Sequence, residues 1–251
     1  MRVTEYQDDF TQRLLQVNHG LIRKGNIAAL KLALELAPPS GAVLEIGTFT
    51  GTTACLIAYF AEQGGKTREI YTCDRWDYGF KGLSERPLGH GHITGNQWGE
   101  HARETALSHI RFFAGTRHVH PMLMWSAELL SAWQESLEVS DLFGNNLRLG
   151  RAVAFAFIDG NHGYDFVKAD FKAVDKVMMP GGVVLFDDSA DLTGSPGVRR
   201  FMKELKSGPL ADGRYSLISK ASNYLIRKDT VRINPRRGAP PASAARHTAE
   251  D

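Results

Sequence analysis

The order of apolar and polar positions predicts alternating helices and strands. Residues 4–37 have the spacing of two helices, interrupted near residues 18–20, and the second helix ends at Pro38-Pro39-Ser40-Gly41. From residue 42 to residue 206, strand-length apolar runs alternate with helical segments. The predicted strands are residues 42–46, 69–73, 119–124, 152–158 and 183–186, and the accompanying helices are residues 52–62, 100–109, 127–137, 164–177 and 197–206.

The second half of the chain carries the clearest pattern. Residues 152–158 form a continuous apolar run, which is typical of a parallel strand covered on both faces. Residues 164–177 repeat apolar positions every three or four residues, and Pro180-Gly181-Gly182 closes the predicted helix. Residues 215–219 and 224–227 predict an antiparallel hairpin. The pattern therefore predicts an α/β fold: a Rossmann-like, doubly wound, mostly parallel sheet with a C-terminal antiparallel hairpin and two N-terminal helices.

Two segments depart from this alternation. Residues 75–100 combine six glycines with aromatic residues such as Trp76, Tyr78 and Trp98, and such an aperiodic stretch predicts a functional loop or, equally, a small satellite core. From residue 229 the chain is rich in Pro, Arg, Ala and Ser, which predicts a disordered tail. The predicted organisation is helices at 1–40, a domain at 41–228 with a lid insertion at 75–117, and the tail at 229–251.

Composition narrows the class of protein. The 251 residues carry 30 basic and 28 acidic side chains, and this even balance gives no electrostatic support for a nucleic-acid partner. The two cysteines have no zinc-site spacing and exclude a disulfide framework, which favours a reducing compartment. No apolar run approaches the roughly 18 residues of a membrane span. We therefore expect a cytoplasmic protein that does not bind membranes.

Candidate binding residues follow the predicted strands, where parallel sheets bind ligands. Gly47 and Gly51 bracket a strand-to-helix turn that lacks both the dinucleotide fingerprint and the lysine of a phosphate-binding loop. Asp74 follows the second strand and could accept both hydroxyls of a ribose, or could be a solvated carboxylate. Ser126 follows the third strand, where it could cap the next helix with help from Glu128 or contact a ligand.

Three carboxylates follow the last two parallel strands. Asp159 ends one strand, and Asp187 and Asp188 end the next, so all three are predicted at one edge of the sheet. Crowded carboxylates repel each other, and Mg²⁺ with its preference for oxygen ligands would relieve that repulsion. Alternatively, one carboxylate caps a helix and another pairs with Arg or Lys. His162, three residues after Asp159, could accept a proton near neutral pH or could be structural.

Taken together, these motifs resemble class I S-adenosylmethionine (SAM)-dependent methyltransferases over roughly residues 40–228. Residues 43–51 resemble the first motif of that class. Residues 157–188, with Asp-Gly-Asn-His, Pro-Gly-Gly and Asp-Asp, resemble metal-dependent O-methyltransferases of the antibiotic-sugar (macrocin-like) and catechol types. The catechol type has Lys at the position of His162 and Asn at that of Asp188, so the resemblance favours the antibiotic-sugar type.

The resemblance implies specific roles. The methionine part of SAM would lie against the first turn, the ribose on the acid after the second strand, and the adenine after the third strand. The implied SAM-binding residues are Glu45, Gly47, Thr48, Gly51, Asp74, Ser126, Ala127 and Asp159. The implied Mg²⁺ ligands are Asp159, Asp187 and Asp188, and His162 or Asp159 would take the acceptor's proton. The implied acceptor is a small molecule, a natural-product sugar or a phenol.

Other functions stay open at this stage. A metal-independent methyltransferase would use His162 as base and the acids as structure. A non-catalytic SAM-binding subunit would bind the cofactor and methylate nothing, and a nicotinamide oxidoreductase is disfavoured by the missing fingerprint. Whether the chain forms a homo-oligomer is also open.

Overall fold

The computed structural model describes residues 8–18, 20–65, 68–78, 93–192 and 194–229. The predicted tail lies outside these residues, except for Asp229. His90 and His92, which belong to the predicted lid insertion, also lie outside them. The elements in chain order are α1 (Asp9–Val17), α2 (Lys24–Leu36), β1 (Ala42–Ile46), α3 (Thr52–Gln63), β2 (Ile70–Asp74), α4 (Gly95–His109), a π-helical turn (Ile110–Ala114), β3 (Val119–Leu123), α5 (Ser126–Gln134), β4 (Glu138–Ser140), β5 (Asn146–Arg148), β6 (Val153–Ile158), α6 (Tyr164–Val177), β7 (Met178–Phe186), α7 (Pro196–Ser207), β8 (Tyr215–Ser219) and β9 (Leu225–Lys228).

Seven strands form one sheet in the order β3-β2-β1-β6-β7-β9-β8. The first five of these are parallel, whereas β9 runs antiparallel to both β7 and β8. The chain leaves β1 toward β2 and later returns to place β6 on the other side of β1, so the strand order reverses there. Ligands bind at such a switch point. The predicted Rossmann-like sheet, the two N-terminal helices and the C-terminal hairpin are confirmed.

The core lies on both faces of this sheet. Strands β1 and β6 are buried at every residue, as the continuous apolar run of β6 predicts. One face packs under α5, α6 and α7 through Trp133, Phe171 and Phe201. The other packs under α2 and α3 through Leu30 and Leu56. No helix within the described ranges is long and apolar enough to span a bilayer.

Two local predictions were wrong, and one element was missed. Pro180-Gly181-Gly182 lies inside β7 rather than closing the helix, in a bulge between the pairs Val153–Met178 and Phe155–Val183. Helix α4 begins at Gly95, five residues before the predicted start, because Thr94 and Gln97 form a capping box there. The short hairpin of β4 and β5 was not predicted, since strands of three partly exposed residues carry no apolar run.

Candidate active site

A cavity of about 740 Å³ opens at the carboxyl edge of the parallel strands. Its walls come from the turns after β1, β2, β3, β6 and β7, together with residues 20–23 before α2. The predicted site residues that line it are Gly47, Thr48, Asp74, Ser126, Asp159, His162, Asp187 and Asp188. Glu45 is buried within β1, Gly51 immediately precedes α3, and Ala127 is exposed on α5, and none of these three lines the cavity.

Gly47 permits the turn after β1 to touch the end of β6. Its φ of +97° is disfavoured for side chains with a Cβ, and a Cβ there would lie 2.1 Å from the carbonyl oxygen of Asp159. The Asp159 N–H donates to the Ile46 carbonyl at 2.9 Å, which continues the strand pairing to this point. Glycine at position 47 therefore sets the position of Asp159 at the cavity wall.

Asp74 is fixed by the same turn. Its Oδ2 accepts the Phe49 N–H at 2.9 Å, and its Oδ1 accepts the Trp76 N–H at 2.7 Å. Burial raises the pKa of Asp74, although these backbone N–H groups oppose the shift. The backbone of Thr48 and Arg75 and the side chain of Tyr78 also contact this carboxylate, so the two hydroxyls of a ribose would bind it in place of some of these groups.

Glu45 lies within β1, out of contact with solvent. Its Oε2 accepts the Thr72 hydroxyl, and that hydroxyl lies 2.6 Å from the hydroxyl of Thr48 on the cavity wall. Burial raises the pKa of Glu45 well above its usual value. Among the described residues, its Oε1 has no hydrogen-bond partner. Glu45 therefore reaches the cavity only through the hydroxyls of Thr72 and Thr48.

A second group of polar side chains lies at the ends of β6 and β7. Asp159, His162 and Asp187 each bring one ligand atom within 4.8 Å of the others. Asp188 is outside this group: its carboxylate lies 3.3 Å from the Arg23 guanidinium and 3.4 Å from Nδ1 of His162. The structure therefore brings two of the three predicted metal ligands together, with His162 as the third member. The alternative prediction, a carboxylate paired with Arg or Lys, describes Asp188 in this conformation.

Asp159 and His162 share a proton-binding site. Nε2 of His162 lies 3.3 Å from Oδ1 of Asp159. Burial raises the pKa of Asp159 to about 8, against the opposing effect of His162. The pKa of His162 is also raised, first by its hydrogen bond with Asp159 and in spite of burial. The two carboxylates of this cluster, Asp159 and Asp187, offer the oxygen donors that Mg²⁺ and Mn²⁺ prefer.

Asp170 is a cavity residue that the sequence analysis missed. It lies on α6 with 5% exposure, and burial raises its pKa to about 6 while a hydrogen bond with Ser126 opposes the shift. The available signal was its spacing, because Asp170 stands three residues after Val167 and four before Val174 on the apolar face. Ser126 is the first residue of α5, so the cap alternative was wrong: Trp125 precedes the helix, and Glu128 accepts the Trp125 N–H at 2.8 Å.

The aromatic residues of the predicted lid divide between two roles. Trp76 is buried in a small core cluster with Ala102 and Ala106 of α4, which matches the satellite-core alternative. Tyr78 and Trp98 line the cavity, as the functional-loop alternative predicts. The described part of this insertion therefore contributes both to packing and to the cavity wall.

Comparison with known proteins agrees with this arrangement of sheet and cavity. Residues 44–189, more than half of the chain, match the family model described as a methyltransferase domain. No curated protein matches the chain in sequence. The fold is that of the class I SAM-dependent methyltransferases, and the chain belongs to the methyltransferase-domain family.

Solved structures share the fold at low sequence identity. The O-methyltransferase NovP superposes with a TM-score of 0.57 at 15% identity over 84% of this chain and 82% of its own. TomG from Streptomyces achromogenes, an O-methyltransferase involved in tomaymycin synthesis and solved in complex with SAM, has a TM-score of 0.53 at 17% identity over 90% and 92%. SAH-bound PaMTH1 from Podospora anserina has a TM-score of 0.54 at 12% identity over 89% of each chain. These solved structures therefore show that the chain has the fold of methyltransferases that bind SAM or SAH.

Proposed function

We propose that the protein transfers the methyl group of SAM to a hydroxyl of a small molecule, with assistance from a divalent cation. The observation that carries this proposal is the position of the Asp159–His162 pair. The pair opens into the same cavity as Asp74 and the Gly47 turn. A proton acceptor thus shares one cavity with the walls that fit the methyl donor. A hydroxyl needs such an acceptor, because it is a poor nucleophile until it loses its proton.

SAM supplies an electrophilic methyl group on a sulfonium. In the transfer, the acceptor oxygen forms a bond to the methyl carbon as the carbon–sulfur bond breaks, and the hydroxyl proton passes to the protein. His162 is the group in reach of that proton, since 34% of its side chain is exposed at the cavity. Asp159 stabilises the imidazolium that results. The chain also aligns the reactants, because the turns after β1 and β2 hold one substrate against the wall that carries His162.

We assign the cation to Asp159 and Asp187, and Asp188 would join them if it left Arg23. His162 lies beside this site as the base, because an imidazole bound to the cation could not also accept a proton. A bound Mg²⁺ would supply Lewis-acid chemistry that lowers the pKa of the acceptor hydroxyl. Asp188 would therefore be a ligand of the cation only after its ion pair with Arg23 is broken. Arg23 is well suited to such an exchange, because its side chain is 61% exposed and can reach solvent once Asp188 is released.

The acceptor class is proposed from the named activities of two solved structures with this fold. TomG and the calicheamicin methyltransferase CalS11 are by their names enzymes of natural-product synthesis, and both share this fold. We propose a natural-product sugar or a phenol as acceptor, with neither nucleic acid nor membrane as partner and with a cytoplasmic location.

Cofactor binding is the first test. S-adenosylhomocysteine titrated into the full chain by calorimetry should bind one to one. Asp74→Ala should weaken binding roughly 10- to 100-fold, because two hydrogen bonds to a charged group are lost. Asp77→Ala is the matched control, since Asp77 lines the cavity but is exposed. No binding in folded wild-type protein would refute the methyltransferase function and direct attention to nicotinamide cofactors.

The second test separates the remaining alternatives. Purified protein is incubated with SAM and a panel of phenols and sugar glycosides, with Mg²⁺ or with a chelator. Transfer that requires the cation supports the full proposal. Equal transfer in the chelator supports a metal-independent enzyme that uses His162 as base. Cofactor binding with no transfer to any acceptor supports a non-catalytic SAM-binding subunit.

A further inference from the structure

Two buried asparagines lie against Asp187, and both belong to segments outside residues 44–189 of the matched domain. Asn26 is in the first turn of α2 with 1% exposure, and Asn223 is in the turn between β8 and β9 with 5% exposure. The side-chain amide of Asn223 donates to Oδ1 of Asp187 at 2.8 Å, and that of Asn26 donates to the same oxygen. Segments from both ends of the domain thus converge on one carboxylate oxygen.

The two amides also bind each other. Nδ2 of Asn223 donates its second hydrogen to Oδ1 of Asn26 at 2.7 Å, which closes a triangle with Asp187. Oδ1 of Asn223 accepts the Ser189 N–H at 2.8 Å, and Ser189 is fully buried. The turn after β7 is therefore held on both sides of Asp188, through the side chain before it and the backbone after it.

Close packing keeps α2 on this turn. A Cβ on Gly25 would lie 2.0 Å from the Ser222 hydroxyl oxygen and 2.8 Å from its Cβ, so the helix approaches as far as glycine allows. Arg23, immediately before α2, lies 3.3 Å from Asp188. The start of α2 therefore contacts both carboxylates that follow β7.

This arrangement is more than a tie between α2 and the β8–β9 turn. Asn26 and Asn223 could satisfy each other without any carboxylate, and Asp187 lines the cavity, where it is only partly buried. Here both donors are spent on Oδ1 of Asp187, which fixes the rotation of the carboxylate. Oδ2 is then the oxygen left for the cluster with Asp159 and His162.

We propose that Asn26 and Asn223 are positioning residues that present Asp187 to a divalent cation as a one-oxygen ligand. This proposal rests on the cation assigned under the proposed function. It adds that the N-terminal helix and the C-terminal hairpin complete the cation site, although neither supplies a ligand. Partners that orient metal ligands typically change metal affinity by about 10- to 100-fold when they are removed.

The test is Mn²⁺ binding to the full chain saturated with S-adenosylhomocysteine, with free Mn²⁺ followed by electron paramagnetic resonance. The variants are Asn26→Ala, Asn223→Ala and the double variant. The control is Ile27→Val, a neighbour on α2 with 1% exposure that has no polar contact to Asp187. Thermal melts verify that each variant is folded, and Asn26→Ser replaces Asn26→Ala if the latter is not.

We expect Mn²⁺ affinity to fall about 10- to 100-fold in each asparagine variant, and to stay at the wild-type value in Ile27→Val even where its melting temperature drops. Folded asparagine variants with wild-type affinity would overturn the positioning role and leave the cation site standing. Absence of Mn²⁺ binding in the wild type, with S-adenosylhomocysteine bound normally, would overturn both the cation and the positioning role while leaving methyl transfer intact.

Discussion

His120 and His162 each lie between carboxylates, yet they stand near opposite edges of the same sheet. His120 is near the amino ends of β2 and β3, and its side chain is 2% exposed. Its two ring nitrogens lie 2.8 Å from Asp141 and 2.8 Å from Glu69. His162 follows the carboxyl end of β6, with 34% exposure and longer separations of 3.3 and 3.4 Å.

The difference shows how the same residue types serve structure or chemistry. The His120 cluster is saturated, because Asp141 also accepts the N–H groups of Phe143 and Asn145 at 2.8 and 2.9 Å. Such a cluster binds three chain segments together, and the polar atoms of His120 and Asp141 are occupied by each other and by their neighbours, although Glu69 and His120 also line an open cavity of about 410 Å³. In the His162 cluster the partners are held loosely beside a cavity, so a proton or a cation can enter. Saturation and exposure, rather than composition, separate the two.

The largest expected effect is on the rate of methyl transfer, through the functional cluster around His162. His162→Gln should lower the rate of methyl transfer about 100- to 10,000-fold, because the acceptor's proton loses its receiving group. Transfer is measured with an acceptor from the panel at saturating SAM, and S-adenosylhomocysteine affinity should stay near the wild-type value. A variant with wild-type transfer would exclude His162 as the base and leave Asp159 as the candidate.

The matched substitution in the other cluster should have the opposite profile. His120→Gln should lower the free energy of unfolding by about 3 kcal/mol, the low end of the cost of breaking a buried pair, because Asp141 keeps its backbone donors. Urea unfolding measures this loss. The folded variant should transfer methyl groups at the wild-type rate, and a variant with normal stability but impaired transfer would contradict the structural role.

The sequence predicts the functional cluster better than the structural one, for a physical reason. Asp159, His162, Asp187 and Asp188 follow apolar strands directly, and parallel strands bring their carboxyl ends to one edge. His120 lies inside β3, and its partner Asp141 follows β4, a strand of three residues that no apolar run indicates. Contacts of this kind depend on how distant segments pack, which spacing along the chain does not encode.

The same limit applies within the active site. Asn26 and Asn223 are separated by 197 residues, so no local pattern connects either of them to Asp187. By contrast, the burial of Asp170 could have been predicted, because this acid lies on the apolar face of a predicted helix. Turn chemistry was predicted at Gly47, whereas the capping box of Thr94 and Gln97 was missed although its signal is local.

Asp170 is a buried acidic group that lines the cavity, and it makes the stability of the fold depend on pH. Its pKa is raised by burial to about 6 in the folded protein, above the value near 4 of an unfolded Asp. The folded state therefore binds the proton more tightly, and stability falls as pH rises from about 4 through 6. Asp170→Asn removes this penalty and can keep the bond with Ser126, so at pH 7 it should be more stable than wild type by about 2–3 kcal/mol.

Urea unfolding of both proteins between pH 4 and pH 8 measures this difference. The advantage of Asp170→Asn should be smallest near pH 4 and should grow through pH 6. The contributions of Asp159 and of the other carboxylates cancel between the two proteins. A constant difference across this range would mean that Asp170 titrates normally and that its burial has no electrostatic cost.

The smallest effect lies at the rim of the His120 cluster. Nδ1 of His118 is 3.1 Å from Glu69, but its side chain is 37% exposed, and exposed pairs contribute at most about 1 kcal/mol. Burial raises the pKa of Glu69, yet hydrogen bonds from His120 and His118 outweigh burial and lower it. Glu69 therefore stabilises the fold above the unfolded pKa, and this stability is lost as pH falls through the lowered folded value.

His118→Ala should therefore cost less than about 1 kcal/mol at pH 7, measured by urea unfolding, and high salt should reduce the difference. His120→Gln should cost several times more in the same experiment, and salt should affect it less, because His120 and Asp141 are screened from solvent. Equal losses for the two variants would mean that the cluster does not depend on its buried member. The assignment of His120 to structure would then fail, because burial of the Asp141 contact is what distinguishes it from an ordinary surface pair.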